Sequence, residues 1–258
     1  MRVMGEIITR MMGEIIMRVR GEIIMRGDIA VRSKKISKKT LEKLSIIEFK
    51  EIHRNNIRRF FIEATREIID EHGIEGVSIR RIAKQTGYNS ATIYNYFGSL
   101  DSLISLALMK YFREYLTALS KNVKEDGNPK ENFYTIWEYF FDTCFEQPKI
   151  FYYLFFKNRK EPLNEIVRTY YELFPEEAIL HPSVVSRMLS GRDIYQRNMH
   201  VLQPLVPSGA LAPERLEIVN DVLVSYYKTI LEQKCDLGYD ANDTGLKSRF
   251  FSVMDLLL

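Results

Sequence analysis

Arg80 is the side chain in this sequence best suited to reading another molecule, because a planar guanidinium can grip a guanine edge with two parallel hydrogen bonds. Ser90 and Ala91 stand at the exposed start of a short apolar-periodic segment just downstream, placed to touch base edges, and Lys84 offers a point charge to a phosphate. Covalent chemistry has much thinner support. His53, His72, His181 and His200 are dispersed, with no H-E-x-x-H, nucleophile elbow, Walker loop or dinucleotide fingerprint. Cys144 and Cys235 lie 91 positions apart with no C-x-x-C, which argues against a disulfide framework or a structural zinc site. Cys144, in an aromatic segment, reads as an inert core thiol. The expectation is a non-enzyme with no cofactor and no metal.

The elements that would position these groups run from Ser78 to Leu103. Ile79, Ile82 and Ala83 recur at the spacing of a buried helical face, leaving Arg80, Arg81 and Lys84 outside. Ser78 is a good N-cap. Gly87 falls where a left-handed residue ends a helix at little cost, and Asn89 can cap a second helix two residues on. Ala83 is small enough for a close crossing, and Ile93 completes the core between the two helices. This is a helix-turn-helix, which would present the start of its second helix to a major groove.

The order hydroxyl, Ile, two variable residues, Ile-Ala, then T-G-Y-N-S-A-T-I-Y-N-Y-F and G-S-L-D-S-L resembles the DNA-binding domain of the TetR (tetracycline repressor) family. The resemblance covers roughly residues 57–116, and its T-I-Y-N-Y-F segment is far more specific than a lone A-x-x-x-G. It implies that Thr92, Tyr94, Tyr96 and Ser99 touch the DNA backbone through their hydroxyls. The chain departs from the family at Leu100, where a lysine usually adds a phosphate contact. The resemblance further implies an all-α protein. Its N-terminal three-helix head would bind a palindromic double-stranded operator. A larger helical body would dimerise and bind a small apolar or aromatic effector that releases the repressor. The other reading is a helical protein-interaction module without sequence-specific DNA binding.

The charge along the chain fits a polyanion-binding head. Basic residues outnumber acidic ones six to four in 1–32 and 15 to ten in 33–115, whereas 116–258 has 16 basic against 20 acidic. A chain of 258 residues has room for a head of about 60 residues and a body with its own core. The longest obvious apolar run, 150–156, is far short of a bilayer span, and the N-terminus has no secretory apolar region, so a cytoplasmic protein without membrane contact is expected.

Three segments follow: 1–45, a repeat-containing basic extension; 46–127, the head with a connecting helix; and 128–258, the effector and dimer domain. The extension repeats Gly-Glu-Ile-Ile at Gly5, Gly13 and Gly21, a period of eight that matches no heptad or solenoid. Two readings stand open: a β-prone arm that pairs with something, or translated upstream sequence with the natural start at an internal methionine such as Met25. The lysine-dense stretch 32–44 is either an arm along phosphates or a solvated linker. Helical spacing of Ile57, Phe60, Phe61, Ala64, Ile68 and Ile69 predicts a helix from about 46 to 72 that packs across the motif.

Beyond the breaker cluster Asp126-Gly127-Asn128-Pro129, helices are expected over 130–146, 149–158, 163–174, 183–200, 213–236 and 245–257. The aromatic concentration from Phe133 to Phe174, across the first three of these, fills space poorly unless some rings line a cavity, which the resemblance makes an effector site with Trp137, Phe141, Tyr152, Phe156 and Tyr170 as candidate contacts; core packing is the other use of such rings. The last helix pair carries broad apolar faces, from which Leu223, Tyr226, Tyr227, Phe250 and Met254 are candidate dimer contacts in a four-helix bundle. Completion of the protomer core is the other use of those faces.

Overall fold

The computed structural model describes residues 38–157, 161–237 and 243–258, with side chains from residue 46 onward and up to 236 before the second gap. The repeat at residues 4–27, the internal start and residues 32–37 of the lysine-dense stretch lie outside the described residues. Among the described residues every regular element is helical. Contacts divide the chain into two compact units, Met1–Phe60 and Phe61–Leu258.

Helix α1, Lys38–His72, runs through that division. It begins earlier than the apolar spacing predicts because 38–45 contains lysine, leucine and glutamate and no breaker, so backbone propensity alone extends the helix. Its C-terminal half buries Phe61, Ile62, Ala64, Ile68 and Ile69. Gly73, at φ 70, ends it.

Two eight-residue helices follow, α2 Ile79–Thr86 and α3 Ser90–Phe97, and then the long α4, Leu100–Asn122. Most of α4 is buried, as its run of leucines and aromatics requires. The Asp-Gly-Asn-Pro cluster then breaks the chain, and Asn128 caps α5, Pro129–Glu146, by accepting from the amides of Lys130 and Glu131.

Two expected helices are broken. The segment from 149 is a short α6, Pro148–Tyr152, that widens into a π turn over Tyr153–Lys157. After α7, Leu163–Leu173, the expected 183–200 helix is two, α8 Ser183–Leu189 and α9 Ile194–Leu202. The second break has a local cause, since Asp193 is extended and caps α9 by accepting from the Gln196 amide at 2.9 Å. The chain closes with α10, Leu216–Leu237, and α11, Asp243–Leu257.

Phenol-to-carboxylate bonds around the edge of the apolar core tie the elements to one another. Tyr111 on α4 donates to Asp70 on α1, Tyr152 on α6 to Glu232 on α10, and Tyr153 in the π turn to Asp101 on α4 at 2.8 Å. Tyr134 on α5 donates to Asp255 on α11 at 2.6 Å, and Tyr170 on α7 to Glu177 at 2.6 Å. Apolar burial supplies most of the driving force, but it is non-directional; these bonds set register.

Candidate nucleic-acid interface and the body behind it

Each turn of the head is held by the residue chemistry expected there. Ser78 Oγ accepts from the Arg81 amide at 3.3 Å, and Gly87, at φ 75, returns its amide to Ala83 O at 3.0 Å. Asn89 Oδ1 accepts from the Thr92 amide at 2.8 Å. Ile82 and Ile93 are sealed between α2 and α3, and Phe61 packs on Tyr88, Tyr96 and Phe97 with ring centroids 5.1, 5.9 and 6.1 Å away. The recognition helix is therefore clamped on its inner side by one phenylalanine.

On the outer side the structure exposes Arg80, Lys84, Ala91 and Tyr94, with Ser90 half-buried at the first turn of α3. Arg80 has no hydrogen bond or ion pair among the described residues, whereas its neighbour Arg81 is spent on the carbonyl of Gly76. Tyr94 is 47% exposed.

Three expected backbone contacts also have internal work. The Thr92 hydroxyl donates to Asn89 Oδ1 at 3.0 Å, and Ser99 Oγ caps α4 by accepting from the Ser102 amide at 3.1 Å. Tyr96 is half-buried against Phe61. A phosphate only accepts, so Thr92 would have to turn its one proton away from Asn89 to reach it, and Ser99 its proton away from Ser102.

Behind the head, α4 and the π turn tie the two halves of the second unit together. Besides the Tyr153–Asp101 bond, Lys149 pairs with Glu75 at 2.8 Å and Ser102 donates to Glu161. The Lys149 ammonium and its bond hold the Glu75 carboxyl below its ordinary range.

The five effector candidates are not brought together around one cavity. Phe141 packs between Phe145 and Tyr227, with centroids at 4.2 and 5.6 Å. Tyr152 lies beside Phe156, and Phe156 faces an outer cleft of about 590 Å³. Tyr170 stacks on Phe174 at 4.7 Å, on another part of the body. Of the five, Trp137 alone borders a small cavity of about 20 Å³ among buried side chains, whose other walls include Tyr115, Phe140, Met188, Ile194, Arg197 and Asn198.

The residues not foreseen there are the polar ones. Trp137 Nε1 donates to Asn198 Oδ1 at 3.0 Å, and Asn198 Nδ2 donates to Asn220 Oδ1 at 3.0 Å, a buried relay from α5 through α9 to α10. Arg197 is 2% exposed. The signal was available: Ile194, Arg197, Asn198 and Val201 share the i, i+3, i+4, i+7 spacing of one buried face.

The dimer candidates need correcting in position. Leu223, Tyr227, Phe250 and Met254 are 0% exposed within a single chain, where Tyr227 and Phe250 pack on Trp137 at 5.2 and 4.8 Å. They complete the protomer core, because the large rings of α5 need partners and these helices supply them. Tyr226 alone of the five is half-exposed. The free apolar side of the same pair carries Ile218 at 62%, Val222 at 38% and Leu256 at 82% exposure.

The fold and the clamped, outward-facing second helix define a helix-turn-helix protein with an all-helical body. The chain matches the family model for bacterial regulatory proteins of the tetR family over residues 61–106, its helix-turn-helix head. It is 37% identical over 83 residues to the HTH-type transcriptional regulator PksA of Bacillus subtilis, which covers 32% of this chain and 40% of that protein. It is 35% identical over 72 residues to the HTH-type transcriptional repressor AcnR of Corynebacterium efficiens, covering 28% of this chain and 36% of the relative. The chain thus aligns with about two-fifths of the length of these curated relatives. These matched proteins are named as regulators and not as enzymes. Among solved structures, Thermus thermophilus FadR, a TetR-family repressor in complex with lauroyl-CoA, superposes with a TM-score of 0.50 at 15% identity over 78% of this chain and 92% of that one, a likeness of fold. No helix among the described residues is long and apolar enough to cross a membrane.

Proposed function

We propose that this protein is a cytoplasmic transcriptional repressor that binds a palindromic operator as a homodimer and is released by a small apolar or aromatic effector. The observation that carries the reading is the unpartnered Arg80 beside a recognition helix whose start faces outward while its inner side is clamped on Phe61. Arg80, Ser90 and Ala91 read base edges; Lys84, Thr92, Tyr94, Tyr96 and Ser99 fix the register on phosphates. Residues 46–127 form the DNA-binding part with its connecting helix, and 128–258 the effector and dimer part.

One such head buries too little DNA to pick out a single genomic site, which is the physical reason for a dimer. The outer side of α10 and α11, with Ile218, Val222, Tyr226 and Leu256, is the apolar surface that a second copy would cover. An effector in the body would act on the head through α4 and its ties at Asp101, Ser102 and Glu75, which turn a shift behind the head into a change of spacing between two recognition helices.

Fluorescence anisotropy on DNA from the upstream region of its own gene, with excess nonspecific competitor, tests this. Tight binding of two protomers per site is expected, and Arg80→Ala should weaken it by roughly 1–3 kcal/mol while relaxing sequence choice at one base pair. Affinity equal to that for scrambled DNA, both here and after selection from a random DNA pool, would instead leave a helical protein-interaction module.

A further inference from the structure

Arg197 is a cation built into the middle of an apolar body. Its guanidinium lies over the ring of Phe112 at 4.7 Å and that of Phe155 at 5.6 Å, and among the described residues no carboxylate pairs with it. Its Nη1 is sealed from solvent without a hydrogen-bond partner. The two rings, whose centroids are 5.7 Å apart, face the charge from one side and leave Nη1 without an acceptor, whereas a buried arginine ordinarily has an acid or several acceptors around it. Burial pushes Arg197 down to about 10, so it stays charged at neutral pH. The neighbouring amide cannot help, because Asn198 already accepts from Trp137 and donates to Asn220.

We infer that Arg197 is the anchor of a buried anion site, and that the effector of the regulator proposed above is a monocarboxylate with an apolar or aromatic body. The carboxylate takes the two in-plane hydrogen bonds that a planar guanidinium offers, beside the phenol-bearing Tyr115. The body of the ligand replaces contacts among Ile136, Phe140, Met188 and Val201. Unliganded, the cavity of about 20 Å³ has room for about one water. Ile194 is shared between this cavity and the outer cleft of about 590 Å³, where Arg192 and Lys228 stand at the mouth, so a side-chain movement at Ile194 opens the path inward. Asn198, next to the anchor in the chain, carries the relay from Trp137 to Asn220 on α10, which gives a bound anion a route to the outer helix pair through the backbone of α9.

Trp137 is the sole tryptophan and borders the cavity, so its emission reports directly on the site. The test titrates the protein, without DNA, with formate, acetate, benzoate and octanoate, each against its own amide. At least one carboxylate should give a saturable change and bind about tenfold or more tightly than its amide, since a charged hydrogen bond is at stake. That preference should vanish in Arg197→Met and shrink in Arg197→Lys, with both variants checked as helical by circular dichroism. If no carboxylate outperforms its amide, or if Arg197→Met keeps the preference, the site holds structural water only and the inference fails. The inference rests on the effector part of the proposed function, but the titration contains no DNA, so its failure leaves operator binding standing and a failed operator experiment leaves the titration readable.

Discussion

A Cβ added to Gly191 would lie 2.6 Å from the backbone nitrogen of Arg197 and 2.8 Å from its Cγ. The absence of a side chain is what lets the turn between α8 and α9 close down on the buried arginine. Gly191→Ala forces backbone apart from backbone, and an overpacking cost of about 1–3 kcal/mol is expected in a urea or thermal melt. An unchanged midpoint would mean that the turn yields freely. The position also shows what was legible at this scale and what was not. Ser78, Gly87 and Asn89 could be assigned from the sequence because a cap depends only on its own few neighbours. For Arg197 the spacing from Ile194 placed it on the buried face, but a charged residue there is read as pointing outward until its surroundings are known. The same ambiguity misplaced Tyr227 and Phe250, whose size suits an interface as well as a core.

Helices α2 and α3 are too short to be stable alone, so their ends carry much of their definition. Asn89→Ala removes the acceptor for the Thr92 amide and hydroxyl together, and should cost about 0.5–2 kcal/mol of stability. Gly87 has open space around it but a φ of 75, so Gly87→Ala meets no clash and pays about 1–2 kcal/mol of backbone strain alone. Both should be read by melting and, on DNA, by anisotropy. A loss of affinity without loss of helix content would show that the caps aim α3 rather than merely stabilise it. Element positions followed from periodicity, and the breaks did not. The split between α8 and α9 comes from the local cap at Asp193, which apolar spacing passes over, and the π turn after α6 is a change of pitch that a 3.6-residue pattern cannot express.

Across the whole molecule, acid is the condition under which stability should fall first. His181, before α8, has its Nδ1 2.7 Å from Ser120 Oγ on α4, and burial lowers its pKa below the ordinary 6.5. The folded state therefore resists protonation more than the unfolded chain does. Its contribution is fully present above about 6.5 and is lost as pH falls through the lowered folded value. Urea midpoints measured between pH 7.5 and 5 should decline, and His181→Gln should flatten the slope. An equal slope in the variant would clear His181; the carboxylates Glu75 and Glu125, which bonds to Lys149 and Ser183 hold below their usual range, give up their contribution only below about 4.5.

The phenol-to-carboxylate bonds place a limit on how this surface can be redesigned. Asp255, Glu177 and Glu232 belong to the acid excess of the body and Asp101 to the connecting helix, yet each is the acceptor that a tyrosine from another element relies on. A campaign that recoloured the body with lysines to alter its solubility would count these four as free surface and would unfasten the bundle instead.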